Sequence, residues 1–121
     1  MFSRRETVEI IDKLIELTQH QNIQWHEQEP YNYMQSQDSR IDVLYVCNYI
    51  NRNLRVYKKD FKYYLDEVQY TWDYEIVVEF VNDIGASAGS FPKTPNALDL
   101  YKAIQFQNPQ IKNFYNDLFS Q

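Results

Sequence analysis

The chain has 121 residues, of which 44% are apolar and 17% aromatic, and a net charge of −5. Length and composition predict one folded domain spanning 1–121 and exclude a disordered chain, while the acidic balance makes nucleic acid and anionic lipid unfavourable partners. Cys47 is the only cysteine, which excludes an intrachain disulfide. No leader pattern and no apolar run of membrane-spanning length is present, so the expectation is a soluble, cytoplasmic protein.

In chain order, Ser3 and Glu6 form an S-x-x-E capping box, each side chain reaching the other's free backbone N–H. Val8, Ile11, Leu14 and Ile15 then recur at helical spacing, with Ile10 and Leu17 widening the stripe. The helix is expected to end near residues 19–21. Ile23-Gln24-Trp25 suggests a short strand. Residues 27–39 are polar, unpatterned and broken by Pro30, which predicts a loop. Tyr31, Tyr33 and Met34 suggest that this loop folds back onto the body.

Residues 41–50 read as a strand, with Ile41, Val43, Tyr45, Cys47 and Tyr49 on one face. Asn51-Arg52-Asn53 predicts a three-residue hairpin loop, since Asn53 tolerates a positive φ. A second strand follows over 54–64, and a two-residue turn at Asp66-Glu67 leads into a third. That third strand, 70–81, reads YTWDYEIVVEFV. Tyr70, Trp72, Tyr74, Ile76, Val78 and Phe80 alternate with mostly acidic positions, which is the period of a strand with one apolar face.

These turns set a register. Cys47 is expected opposite Tyr57, Val43 opposite Phe61, Tyr63 opposite Tyr70, Phe61 opposite Trp72 and Tyr57 opposite Ile76, so all apolar sets share one face. Asp83-Ile84-Gly85 marks a turn, and the small residues of 86–91 suggest a short further strand. A helix beginning at Thr94-Pro95 or Asn96 carries Ala97, Leu100, Tyr101 and Ile104. Asn108-Pro109 starts another, an N-cap followed by proline at the first helical position, and Ile111, Phe114, Tyr115, Leu118 and Phe119 give it the cleanest amphipathic stripe in the chain. The expected fold is α+β: an N-terminal helix, a three- to four-stranded antiparallel meander, and two C-terminal helices packed on one face of the sheet.

Charge is uneven along the chain. Residues 40–64 carry six basic and two acidic side chains, whereas residues 65–121 carry three basic and eight acidic ones. Basic and aromatic residues interleave over 52–64, a pattern that suits single-stranded nucleic acid. The expected register opposes that use, because Lys58 falls opposite Glu75 and Lys62 diagonal to Asp73, so the charges are neutralised within the sheet. Arg55 and Lys59 stand out instead. Lys59 is expected in a row between Tyr45 and Tyr74, and Arg55 between Tyr49 and Val78. Cations among phenols make either cation–π contacts or an anion site.

His20 and His26 match no compact metal spacing, so no metal or other cofactor is expected. Asp66, Glu67, Asp73, Glu75 and Glu79 sit at a turn and on a polar face, where solvated charges belong. Cys47 has no adjacent base. Ser87 and Ser90 lack the nucleophile-elbow pattern. The leading expectation is therefore a non-enzymatic protein-interaction module, engaging another protein or a second copy of itself. Its binding residues would be exposed tyrosines such as Tyr31 and Tyr33. The alternative is a small anion-binding, ligand-binding or hydrolytic domain using Arg55 and Lys59. A third reading is an acidic inhibitor or immunity-type protein.

Overall fold

The computed structural model describes residues 1–120 and falls into two compact units, residues 26–90 and residues 1–25 with 91–120. The elements are α1 (Arg4–Gln19), β1 (His26–Gln28), β2 (Ser39–Tyr49), β3 (Arg52–Tyr64), β4 (Tyr70–Val81), β5 (Ser87–Ser90), α2 (Ala97–Phe106) and α3 (Pro109–Phe119). The architecture is α+β, with one N-terminal helix, an antiparallel sheet and two C-terminal helices. The sheet has five strands in the order β1-β2-β3-β4-β5, rather than the three or four expected. Among the described residues no helix is long and apolar enough to cross a membrane.

In the helical unit, α1 opens with the predicted capping box: the Ser3 N–H donates to Glu6 Oε1 at 2.9 Å and the Glu6 N–H to Ser3 Oγ at 3.1 Å. Ile11 and Leu14 from α1 join Leu100, Tyr101 and Ile104 from α2 among the buried residues, and the two helices pack together. Thr7 and Thr18 are buried with them. Each hydroxyl donates to the carbonyl four residues back, Ser3 at 2.8 Å and Leu14 at 2.7 Å, so no polar atom is stranded.

Gln107, just past α2, fastens this unit. Its Nε2 donates to the Thr18 carbonyl at 3.0 Å and the Ile23 carbonyl at 2.7 Å, and its Oε1 accepts the Trp25 N–H at 3.2 Å. The short segment Ile23-Gln24-Trp25 is therefore not a strand. Its backbone bonds to a side chain, Trp25 Nε1 donates to Thr18 Oγ1 at 3.0 Å, and the strand starts one residue later at His26.

In the sheet unit the register differs from the expected one at three places. The β2–β3 hairpin turns on Ile50 and Asn51, both at positive φ (52° and 59°), which makes Tyr49 face Arg52 and Cys47 face Leu54. A bulge between Ile41 and Leu44 then puts these two residues on the same face. The β3–β4 connection is five residues long: Leu65 N–H donates to the Gln69 carbonyl, and the Asp66 carboxylate accepts the Val68 and Gln69 N–H groups. Tyr64 thus faces Tyr70, Phe61 faces Asp73 and Tyr57 faces Val77. Both hairpin slips are odd, so each carries a residue to the other side of the sheet.

One face, the Arg55 face, carries Ile41, Leu44, Arg55, Tyr57, Lys59, Glu75, Val77 and Glu79. The other, the Trp72 face, carries Tyr45, Cys47, Leu54, Val56, Lys58, Lys62, Tyr70, Trp72, Tyr74, Val78 and Phe80. On the Arg55 face the predicted loop does fold back: a short 3₁₀ turn at Asn32–Met34 lets Met34 pack against Ile41, Leu44 and Tyr57.

Candidate functional site

The Arg55 face holds a buried ionic network. β2, β3 and β4 bring Val46, Arg55 and Glu79 into one row. Arg55 and Glu79 are 3% and 2% exposed, low enough that the charges depend on each other. Arg55 Nη2 lies 2.8 Å and Nε 2.9 Å from Glu79 Oε1, and Nη1 donates to the Gly85 carbonyl at 2.9 Å. Tyr57 stands beside this pair, and burial together with the Glu79 carboxylate pushes its phenol well above its ordinary pKa. Gly85 sits at φ +85°, a conformation that favours glycine, and without a Cβ it lets the Tyr31 hydroxyl lie close against the 82–86 turn whose carbonyl Arg55 meets.

A hollow of about 490 Å³ opens beside this network, lined in part by Tyr33, Ser36, Tyr57, Lys59 and Ser87. Arg55 and Lys59 both border it, but Arg55 is already neutralised by Glu79. An incoming anion would have to displace that carboxylate. Lys59 is not in a row with Tyr45 and Tyr74; it lies between Ile41 and Glu75. Arg55 likewise lies between Val46 and Glu79, not between Tyr49 and Val78. Tyr45 and Tyr74 are on the opposite face, Tyr45 buried beside Val56 and Tyr74 45% exposed beside Asp60. Tyr31 and Tyr33 stack with ring centroids 5.6 Å apart, and Tyr33 is largely exposed.

The Trp72 face carries what the expected register concealed. Lys58 lies opposite Ile76, not Glu75, and Lys62 lies opposite Trp72. With Arg40 from β2 they sit on the rings: Arg40 4.8 Å from Trp72, Lys58 4.8 Å from Tyr74 and Lys62 4.3 Å from Tyr70. Each lysine also has an acid close by, Asp60 at 3.8 Å from Lys58 and Asp38 at 3.9 Å from Lys62. Neutralisation survives, through different acids. The aromatic ribbon Tyr64, Tyr70, Trp72 and Tyr74 is nearly half exposed.

Cys47 is buried on this face, and burial pushes its thiol from 9.0 up to about 12, against a smaller opposing pull from the Leu54 backbone. The folded value lies above the unfolded one. Its stabilising contribution is therefore complete below about pH 9 and is lost as pH rises toward 12. Iodoacetamide at pH 8 should leave Cys47 unmodified in the folded chain and alkylate it readily in denaturant; mass spectrometry reads both. Among the described residues no three His, Cys, Asp or Glu side chains gather as a metal site.

The amphipathic stripe of the last helix forms a further surface. On α3, Ile111, Phe114, Tyr115, Leu118 and Phe119 are 49–72% exposed, and no residue of that helix is buried. Compared with known proteins, the chain significantly matches no family model, no curated protein and no solved structure.

Proposed function

We propose that the chain is a non-enzymatic protein-interaction module, binding another protein or a second copy of itself. The observation that carries this reading is α3. It is an amphipathic helix of eleven residues whose whole apolar stripe is at least half exposed or close to it. Helices this short gain most of their stability from burying such a stripe, so the stripe implies a partner. Its one lysine and one aspartate leave the helix without net charge, so α3 offers no repulsion to a second copy despite the acidic chain. The stacked Tyr31 and Tyr33 supply further rings of the kind interfaces favour.

The ligand-binding or hydrolytic alternative keeps only Lys59 as a cation bordering the hollow that is not held in the Arg55–Glu79 pair. Sedimentation velocity over a hundredfold concentration range tests the leading reading. Self-association that disappears in Phe114→Ser/Leu118→Ser supports a second copy. Strictly monomeric chain at high concentration leaves only another protein. A double variant whose stability falls by several kcal/mol would overturn the reading, because exposed positions change stability by roughly 0.5 kcal/mol or less.

A further inference from the structure

We propose that the outer edge of β4, from Tyr70 to Ile76, takes up an extended basic segment of another protein as an added strand. The proposal concerns a different surface from α3 and rests on its own observations. β5 covers β4 only at Glu79, Phe80 and Val81, so the rest of this twelve-residue strand is a sheet edge. Lys62 N–H donates to the Asp38 carbonyl at 2.8 Å, on the β2 side. Backbone groups alternate along a strand, so the odd-numbered residues of β3 address β4 and meet the odd-numbered residues of β4. The even ones, Tyr70, Trp72, Tyr74 and Ile76, therefore direct their N–H and C=O groups to the open edge. The Tyr74 N–H is already held by the Asp73 carboxylate at 2.7 Å, so an added strand bonds Trp72 and Ile76 directly and reaches Tyr74 only by displacing that carboxylate toward its own cations.

Side chains state the chemistry of the occupant. The open part of β4 contains Asp73 and Glu75 and no basic residue, while Glu79 is buried against Arg55 and lies under β5. Asp73 and Glu75 flank the edge on one face, and the half-exposed rings of Tyr70, Trp72 and Tyr74 flank it on the other. An added strand with lysine or arginine at alternate positions would set those cations beside the acids. Its intervening apolar side chains would lie along the rings, in the manner of strand addition to an exposed sheet edge. The cations on these rings, Arg40, Lys58 and Lys62, belong to β2 and β3, on the inner side of β4 in the sheet order.

Two other occupants fit worse. A second copy paired antiparallel in the face-matched register puts Asp73 against Glu75 of its partner, like against like. A single-stranded nucleic acid would meet lysines already paired with Asp38 and Asp60 on a chain of charge −5.

The test uses the full chain and a fluorescent octapeptide of alternating lysine and valine. Controls are the glutamate–valine counterpart and a single-stranded oligonucleotide. Anisotropy should show saturable binding of the lysine peptide alone, and amide exchange should slow at Trp72 and Ile76. Asp73→Lys with Glu75→Lys should weaken binding about tenfold or more. Ile76→Pro removes one edge N–H without touching charge, and should weaken it too. Phe114→Ser/Leu118→Ser should bind the peptide as the unaltered chain does, which separates this proposal from the α3 reading. No binding of the lysine peptide, equal binding by the charge-reversed variant, oligonucleotide binding in its place, or edge-to-edge dimers lost on the Asp73→Lys change would each overturn it.

Discussion

Replacing Glu79 by alanine is expected to cost roughly 3–5 kcal/mol of stability, the most of any change considered for the sheet. The reason is the Arg55 guanidinium, 3% exposed and fixed by two nitrogens on one carboxylate oxygen. Without Glu79 it keeps only the Gly85 carbonyl and the Tyr57 ring, 5.8 Å from the ring centroid, and an ion there cannot regain its water. Urea unfolding followed by circular dichroism measures the loss as a shift of midpoint with little change of slope. Arg55→Met combined with Glu79→Leu should recover most of it, because the pair's attraction roughly offsets the cost of burying two charges. If the single and double changes are equally damaging, the packing of the row matters rather than its charge.

Gln107→Ala is expected to cost roughly 2–4 kcal/mol, through three hydrogen bonds worth about 0.5–1.5 kcal/mol each. One amide satisfies the carbonyls of Thr18 and Ile23 and the N–H of Trp25. Truncation strands all three in a part-buried place, just where α1 hands over to the segment leading out of the helical unit. Gln24→Ala is the control. Gln24 is exposed and makes one 3.3 Å bond to the Gln21 carbonyl, so thermal unfolding of that variant should match the unaltered chain.

Local signals in the sequence translated well into structure. The capping box of α1, the Asn108-Pro109 start of α3 and the strand over 70–81 all stand where periodicity and caps placed them. These features depend on residues a few positions apart. The register did not follow, because it depends on turns whose chemistry is unusual. A two-residue turn with both residues at positive φ normally asks for Asn or Gly; here Ile50, a β-branched residue, takes the first position at 52°. Asp66 suggests a turn, but its carboxylate organises a five-residue loop by accepting two backbone N–H groups. The bulge between Ile41 and Leu44 has no marker in composition.

Those slips decided the candidate site. Arg55 and Lys59 moved off the face of Tyr45 and Tyr74, and Arg55 acquired Glu79 as a partner twenty-four residues away. The aromatic ribbon acquired Lys58, Lys62 and Arg40 instead. The exposed stripe of α3 was legible as amphipathic, while its lack of a cover is a property of packing and leaves no trace in a period.

The placement of both sheet faces and of the β4 edge rests on the β3–β4 pairing, and cross-strand disulfides test that pairing directly. In a Cys47→Ala background, Lys58→Cys with Ile76→Cys joins residues that face each other, at the short Cα separation of a non-hydrogen-bonded pair. Mild oxidation should close that bridge nearly completely, and Lys58→Cys with Glu75→Cys should stay reduced. Closure of the second pair in preference to the first would return Arg55 and Lys59 to the aromatic face and contradict the account.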